Sequence, residues 1–181
     1  VRNRQFGHNG LLGICDASTV IQPSPTELAD MAISAAGLVR LLFETEPAVA
    51  LLSYSTKGSG GRHKDAEKVV EALRVVRSRA PELNVDGELQ ADTALVPAIG
   101  SSKAPGSTVA GRANTLVFPD LTSANIAVKM VERLGDAAAI GPFIMGLAKP
   151  ANDLSRGCSA DDIYSTAIVT CLQAAGAGPT G

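Results

Sequence analysis

The sequence predicts an α/β domain with three layers, α/β/α, built around a mainly parallel sheet. Two apolar runs, residues 48–54 and 113–118, lack the alternation of apolar and polar residues and are typical of parallel strands buried on both faces. Amphipathic helix patterns alternate with these runs, which indicates a sheet covered by helices. The chain has 181 residues, 45% of them hydrophobic, so one sizeable domain of this class can form a core.

Composition argues against several classes of partner. Aromatic residues make up 3% of the chain and Trp is absent, so recognition of single-stranded bases by stacking is poorly supported. A formal net charge of -2 argues against nucleic acid or an anionic membrane surface. No stretch has the length and apolarity of a membrane span, and no signal peptide is visible. Cys15, Cys158 and Cys171 lack metal-ligand spacing and fit a reduced, cytoplasmic compartment better than a disulfide framework.

The first half of the chain predicts two strands, each followed by a helix. A short apolar run at residues 11–15 predicts the first strand. A capping serine, Ser24, is followed by proline and then by glutamate three residues on, which marks the start of a helix that runs to about Phe43. After the strand at residues 48–54, apolar spacing predicts a second helix over residues 64–79.

The second half predicts further strands and helices. Residues 83–87 are expected to form a short strand and turn, and residues 88–99 a short helix. A strand-like apolar run at residues 139–147 precedes a helix predicted at residues 161–174. Between these parts, Asp120 is expected to cap a helix whose core face comprises Ile126, Ala127, Met130, Val131 and Leu134.

Three carboxylates, Asp86, Glu88 and Asp92, lie close together in the sequence and raise the possibility of a metal site. Their spacing matches no calcium-binding loop. We interpret them instead as carboxylates at a strand end that cap the following helix.

A loop rich in glycine and hydroxyl groups follows the strand at residues 48–54. Residues 53–61 contain hydroxyl side chains, a lysine and three glycines between a predicted strand and a predicted helix. Such a loop can offer hydroxyl and backbone donors to a phosphate, although it lacks the residue order of a nucleoside triphosphate P-loop. The alternative is a flexible surface loop without a ligand.

Residues 152–162 form a second candidate site. They combine a serine, an arginine and glycine with the pair Ser159 and Asp162, which reads as a capping box ahead of a helix. Because a helix N-terminus favours anions, the stretch is a plausible phosphate site. The alternative is a capped connection with a surface arginine. Both loops follow apolar runs, and ligands of parallel sheets bind at the carboxyl ends of strands, so we expect the loops to form one site.

Several blocks of the sequence resemble phosphate acetyltransferases, also called phosphotransacetylases. In family order they are residues 49–59 (VALLSYSTKGS), 86–90 (DGELQ), 103–107 (KAPGS), 113–120 (ANTLVFPD) and 146–159 (GLAKPANDLSRGCS). The resemblance extends from about residue 11 to 174. The last block is the most specific, because phosphate butyryltransferases and the related domain of malic enzymes depart from its Ser-Arg-Gly-Cys-Ser pattern.

The resemblance implies reversible transfer of an acetyl group between acetyl phosphate and coenzyme A, with no metal and no permanently bound cofactor. It implies an isocitrate/isopropylmalate dehydrogenase-like fold and a homodimer. Asp162 matches the carboxylate proposed to deprotonate the thiol, and Ser155 matches a serine proposed to stabilise the transition state. Arg156 and Arg133 match arginines that hold phosphate or coenzyme A oxygens. The pocket for the acyl phosphate would be lined by Asn152, Ser55, Thr56, Lys57, Gly58 and Ser59.

The family also has an amino-terminal segment with a Thr-Ala-Asp-Thr-Val-Arg-Pro-like motif that this sequence lacks, and the chain begins at Val1. We therefore expect residues 1–138 to correspond to the family's second domain. Residues 139–181 would be a closing segment that, in the family, packs on the first domain. A second function stays open, namely a non-catalytic, acyl-CoA-sensing domain of a larger enzyme such as malic enzyme.

Overall fold

A computed structural model describes residues 4–16 and 18–176. Within these residues, four parallel strands form one sheet in the order β1-β4-β2-β3. The strands are β1 (Gly13–Cys15), β2 (Val49–Leu52), β3 (Val85–Leu89) and β4 (Thr115–Val117). The parallel α/β fold that the sequence predicts is confirmed, and the carboxyl ends of all four strands meet at one edge of the sheet.

The helices connect the strands and cover both faces of the sheet. They are α1 (Pro25–Phe43), α2 (Lys64–Arg79), α3 (Ala91–Leu95), α4 (Pro97–Lys103), α5 (Leu121–Leu134) and α6 (Ala160–Gly176). The helix start predicted at Ser24 is a complete capping box, in which the Ser24 amide donates to the Glu27 carboxylate at 2.8 Å and the Glu27 amide donates to the Ser24 hydroxyl at 3.3 Å. No helix among the described residues is long and apolar enough to cross a membrane.

Two apolar clusters form the core, one on each face of the sheet. Alternate residues of the central strand contribute to opposite faces, as the period of a strand requires. Val49 and Leu51 pack with α1 and α2, whereas Ala50 and Leu52 pack with α3 and the segment of residues 104–113. All members of both clusters are nearly or fully buried, so the core lies between the sheet and the helices and the segment of residues 104–113 that cover it.

The helix predicted at residues 88–99 is wrong. Glu88 and Leu89 belong to the buried strand β3, and two short helices, α3 and α4, follow. Pro97 is the reason for the interruption, because proline lacks an amide hydrogen and is accepted at the first position of a helix but not in its interior. It begins α4.

The carboxyl-terminal part of the chain differs more from the sequence-based prediction than the preceding part does. Residues 139–147 form no strand; they are irregular, partly exposed and unpaired with any strand of the described sheet. The loop after residue 147 therefore does not follow a strand, and the argument that both loops share one sheet edge fails for it. The predicted core face of α5 is also wrong: Ala124 is its buried residue, and the exposed large side chains include Ile126, Met130, Val131 and Leu134, the last 80% exposed.

Candidate active site

A buried carboxylate organises the loop after β2. The Ser55 side chain is fully buried, and its hydroxyl donates to Oε1 of Glu88 at 2.7 Å. The backbone amide of Gly58 donates to the same oxygen at 2.8 Å. The amide of Gly60 in turn donates to the Ser55 hydroxyl at 2.8 Å. Glu88, in β3, therefore fixes three positions of this loop.

A second carboxylate binds the lysine of the loop. The Lys57 ammonium donates to Asp86 Oδ1 at 2.5 Å and to the Gly87 carbonyl at 2.8 Å. Asp86 also accepts from Arg77 at 3.3 Å and from the Ser107 hydroxyl at 2.6 Å. Burial by itself would raise the pKa of the Asp86 carboxyl, but the hydrogen bonds from Lys57 and Ser107 hold this pKa below its usual range. The interpretation of Asp86 and Glu88 as helix caps is thus wrong, because both bind the neighbouring loop.

Further hydrogen bonds join Thr56 to Ser59 and to Gln90. The Thr56 amide donates to the Ser59 hydroxyl at 3.0 Å, and the Ser59 amide donates to the Thr56 carbonyl at 3.0 Å. The Thr56 hydroxyl accepts from the Gln90 amide at 2.9 Å. Hydrogen bonds within the loop and to β3 therefore fix its shape.

A cleft of about 350 Å³ lies at the carboxyl ends of β2 and β4. Ser53 and Tyr54, at the start of the loop, line one side, and Pro119 and Ser123 line the other. The Lys68 ammonium, which also lines the cleft, donates to the Pro119 carbonyl at 2.6 Å. The position of the cleft matches the rule that ligands of parallel sheets bind outside the carboxyl strand ends.

The capping box predicted from Ser159 and Asp162 is present at the start of α6. The backbone amide and the hydroxyl of Ser159 both donate to Asp162 Oδ2 at 2.8 Å, and the Asp162 amide donates to the Ser159 hydroxyl at 3.2 Å. The hydrogen bond from the Ser159 amide and the one from its hydroxyl lower the pKa of the Asp162 carboxyl. Asp162 is partly exposed and ionised at neutral pH, so it can accept a proton, although as a weak base.

The other predicted polar residues of this region are exposed. Ser155 and Arg156 precede the capping box, and the Ser155 hydroxyl accepts from the Gly157 amide at 3.3 Å. Arg133 lies in the last turn of α5 with its side chain 79% exposed, 3.8 Å from the carboxylate of its neighbour Glu132. Ser155 and Arg156 thus lie seven and six residues before Asp162 in the sequence. Among the described residues, no hydrogen bond or ion pair joins them to Arg133 or to residues 53–60.

Asn152 makes contacts that the sequence does not reveal. Its amide nitrogen donates to the Thr170 hydroxyl at 2.9 Å and to the Gln173 carbonyl oxygen at 2.7 Å. Its amide oxygen accepts from the Ile144 backbone at 2.8 Å. Through these hydrogen bonds Asn152 connects the segment of residues 144–152 to α6.

Sequence reasoning missed the role of Glu88 and Asp86 as anchors. Their burial becomes apparent only in the structure, in which every residue of the strand at 85–89 is buried. Charged groups in such a strand need partners close by. In the part of the chain that the structure describes, no group of three or more His, Cys, Asp or Glu side chains could hold a metal ion.

A sequence model of the family described as phosphate acetyl/butaryl transferase matches residues 4–171. The chain belongs to this family. It is 48% identical over 174 residues to a phosphate acetyltransferase from Acetivibrio thermocellus and 51% identical over 174 residues to one from Treponema pallidum. Each match covers 96% of this chain and 52% of the relative. A crystal structure of a phosphotransacetylase from Streptococcus pyogenes superposes with a TM-score of 0.86 at 49% identity, over 90% of this chain and 49% of that one.

The matches confirm that the chain is a member of the phosphate acetyl/butaryl transferase family and that its fold is that of the phosphotransacetylases. The chain spans about half the length of the curated relatives it matches. Their names describe an acyl-transferring enzyme, not a malic enzyme.

Proposed function

We propose that the protein transfers an acetyl group reversibly between acetyl phosphate and coenzyme A. One observation carries the proposal: the exposed Ser155 and Arg156 lie seven and six residues before Asp162, an ionised carboxylate in the first turn of α6. The matches to phosphate acetyltransferases, which are 48% and 51% identical and cover 96% of this chain, support a role of residues 155–162 in acyl transfer. Phosphate, acetyl phosphate and coenzyme A are then the substrates and products.

In the proposed step Asp162 accepts the proton of the coenzyme A thiol, whose pKa is near ~8.5 when unperturbed. The thiolate sulfur attacks the carbonyl carbon of acetyl phosphate and forms the thioester bond. The bond from this carbon to the phosphate oxygen breaks, and phosphate leaves with the electron pair. Arg156, Arg133 and the Ser155 hydroxyl stabilise the negative charge that develops on the carbonyl and phosphate oxygens. Every group in the step comes from the substrates or from this chain.

The loop of residues 53–60 has a different part in the proposal. Hydrogen bonds to Asp86 and Glu88 and within the loop fix its shape, so we propose that Ser55, Thr56, Lys57, Gly58 and Ser59 line the acyl phosphate pocket. We propose that Asn152 acts on the opposite side, where it holds the chain that leads into Ser155.

We further propose that the protein is a cytoplasmic homodimer in which residues 1–138 form one structural part and residues 139–181 a closing segment. The exposed apolar stripe on α5 supports the dimer, because such faces are usually covered by a partner. The three cysteines are free thiols, which fits a reducing compartment. Exposed Ile163, Ile168 and Leu172 on α6 support a closing segment that packs against further chain.

The experiment is an assay of acetyl-CoA formation from acetyl phosphate and coenzyme A, with the complete polypeptide that carries this chain. We expect turnover with acetyl phosphate and release of one phosphate per thioester formed. A protein that binds acyl-CoA in equilibrium dialysis but forms no thioester would contradict the proposal and favour a sensing domain.

A further inference from the structure

Glu88 is a buried carboxylate that the proposed reaction does not use. Glu88 is 4% exposed and lies in β3 between Gly87 and Leu89, which are also buried. Burying a carboxylate is costly unless hydrogen bonds compensate. No cation lies within ion-pairing distance of Glu88 among the described residues, so the compensation comes from neutral donors.

Those donors all belong to the loop after β2. The Ser55 hydroxyl and the Gly58 amide converge on one oxygen, Oε1, and the backbone carbonyl of Glu88 accepts from the Lys57 amide at 3.2 Å. Glu88 therefore connects β3 to the loop over three residues.

The loop is packed so closely that a small displacement would change its shape. A Cβ atom placed on Gly60 would lie 2.5 Å from the Tyr54 ring and 2.9 Å from the Ser55 side chain. The position of Ser55, which Glu88 fixes, thus sets the position of Gly60 through the hydrogen bond between them. Tyr54, on the other side of Gly60, lines the cleft at the carboxyl strand ends.

We infer that Glu88 is a positioning residue, which holds the loop of residues 53–60 in the shape that binds the acyl phosphate. The identity of the ligand in this inference rests on the proposed function. The hydrogen bonds by which Glu88 positions the loop do not depend on that function. Glu88 acts through hydrogen-bond acceptance at one oxygen and touches no substrate.

The test compares four variants of the complete polypeptide. Glu88→Ala removes the acceptor, whereas Glu88→Gln keeps one amide oxygen that can accept from both Ser55 and Gly58. Glu71→Ala is the control, because it removes an exposed carboxylate of α2 that is paired with Arg74 and is remote from the loop. If the Ala variant folds poorly, Ser55→Ala provides a milder change, since it deletes one of the two donors to Oε1.

Hydrogen–deuterium exchange of the peptide covering residues 53–61 gives a readout that is independent of activity. We expect exchange at least 10-fold faster in Glu88→Ala, a smaller increase in Ser55→Ala, and little change in Glu88→Gln or Glu71→Ala. Equal exchange in wild type, Glu88→Ala and Ser55→Ala would overturn the inference.

Steady-state kinetics then test the link to the ligand. We expect the KM for acetyl phosphate to rise about 10-fold or more in Glu88→Ala, the KM for coenzyme A to stay within about twofold, and Glu88→Gln to restore both. A Gln variant as impaired as the Ala variant, or a lower kcat with unchanged KM, would overturn the positioning role. If the wild type forms no acetyl-CoA, the proposed function fails, whereas the exchange experiment still decides whether Glu88 holds the loop.

Discussion

Single carboxylates determine the shape of the loop after β2. The sequence correctly indicates that residues 53–61 form a loop of hydroxyls, lysine and glycine between a strand and a helix. It does not indicate that Lys57 and Ser55 bind Asp86 and Glu88, because these pairs are about 30 residues apart. Pairing over such a distance depends on the register of β2 and β3, which a local pattern does not fix.

The pairing of Asp86 makes a prediction about pH. Its pKa is lowered in the folded state, so its stabilising effect is present above the unfolded pKa of about 3.9 and is lost as the pH falls through the folded value. The charged groups that face it are Lys57 and Arg77. We expect Asp86→Asn to lower the free energy of unfolding by about 1.5–3 kcal/mol at pH 7, the range for hydrogen bonds to a charged group.

Urea unfolding at pH 7, 5 and 3.5 provides the measurement. The difference between wild type and Asp86→Asn should be equal at pH 7 and 5 and should shrink at pH 3.5. A difference that grows on acidification would contradict the assigned direction of the pKa shift.

At the scale of elements, start signals were more reliable than apolar runs. Ser24, Asp120 and Ser159 all cap helices as predicted, because a cap depends on residues only three positions apart. The run of residues 139–147 was apolar enough for a strand, yet it has no partner strand in the described chain. Apolar composition alone does not distinguish a strand from an irregular segment that pairs with no strand.

Asn152 makes three of the hydrogen bonds that connect residues 144–152 with each other and with α6. Asn152→Ala should remove three hydrogen bonds, at a local cost of about 1–3 kcal/mol, and should speed amide exchange over residues 144–152. Asn152→Asp keeps the acceptor for the Ile144 amide but loses both donors, so an intermediate effect is expected. Hydrogen–deuterium exchange measures both. Unchanged protection in the Ala variant would show that the segment is held by other contacts.

At the scale of the whole molecule, order along the chain was the strongest signal. The sequence blocks follow the family's order, and the match to the family covers residues 4–171. The apolar faces of α5 and α6 were not predictable in the same way, because helical spacing identifies an apolar face but not what covers it. Ile126 and Met130 are each more than half exposed.

The proposed dimer makes a prediction for this face. Ile126→Lys with Met130→Lys should change the stability of the single chain little, because both side chains are already exposed. The same pair should shift the complete polypeptide from dimer to monomer in light scattering. Lys129→Ala, which changes a neighbouring residue of the same helix without adding charge, is the control. A double variant that stays dimeric would place the interface elsewhere.

We propose that the segment of residues 155–162 catalyses acetyl transfer, with Asp162 as the base. The most direct measurement is the kcat of acetyl-CoA formation by the complete polypeptide with Asp162→Asn. Asn offers one side-chain oxygen to Ser159, as Asp162 does through Oδ2, so the cap is retained while the base is removed. We expect kcat to fall roughly 10²–10⁴-fold, with the KM for coenzyme A and the melting temperature little changed. Near wild-type turnover, together with a lower melting temperature, would contradict the claim and leave Asp162 as a helix cap alone.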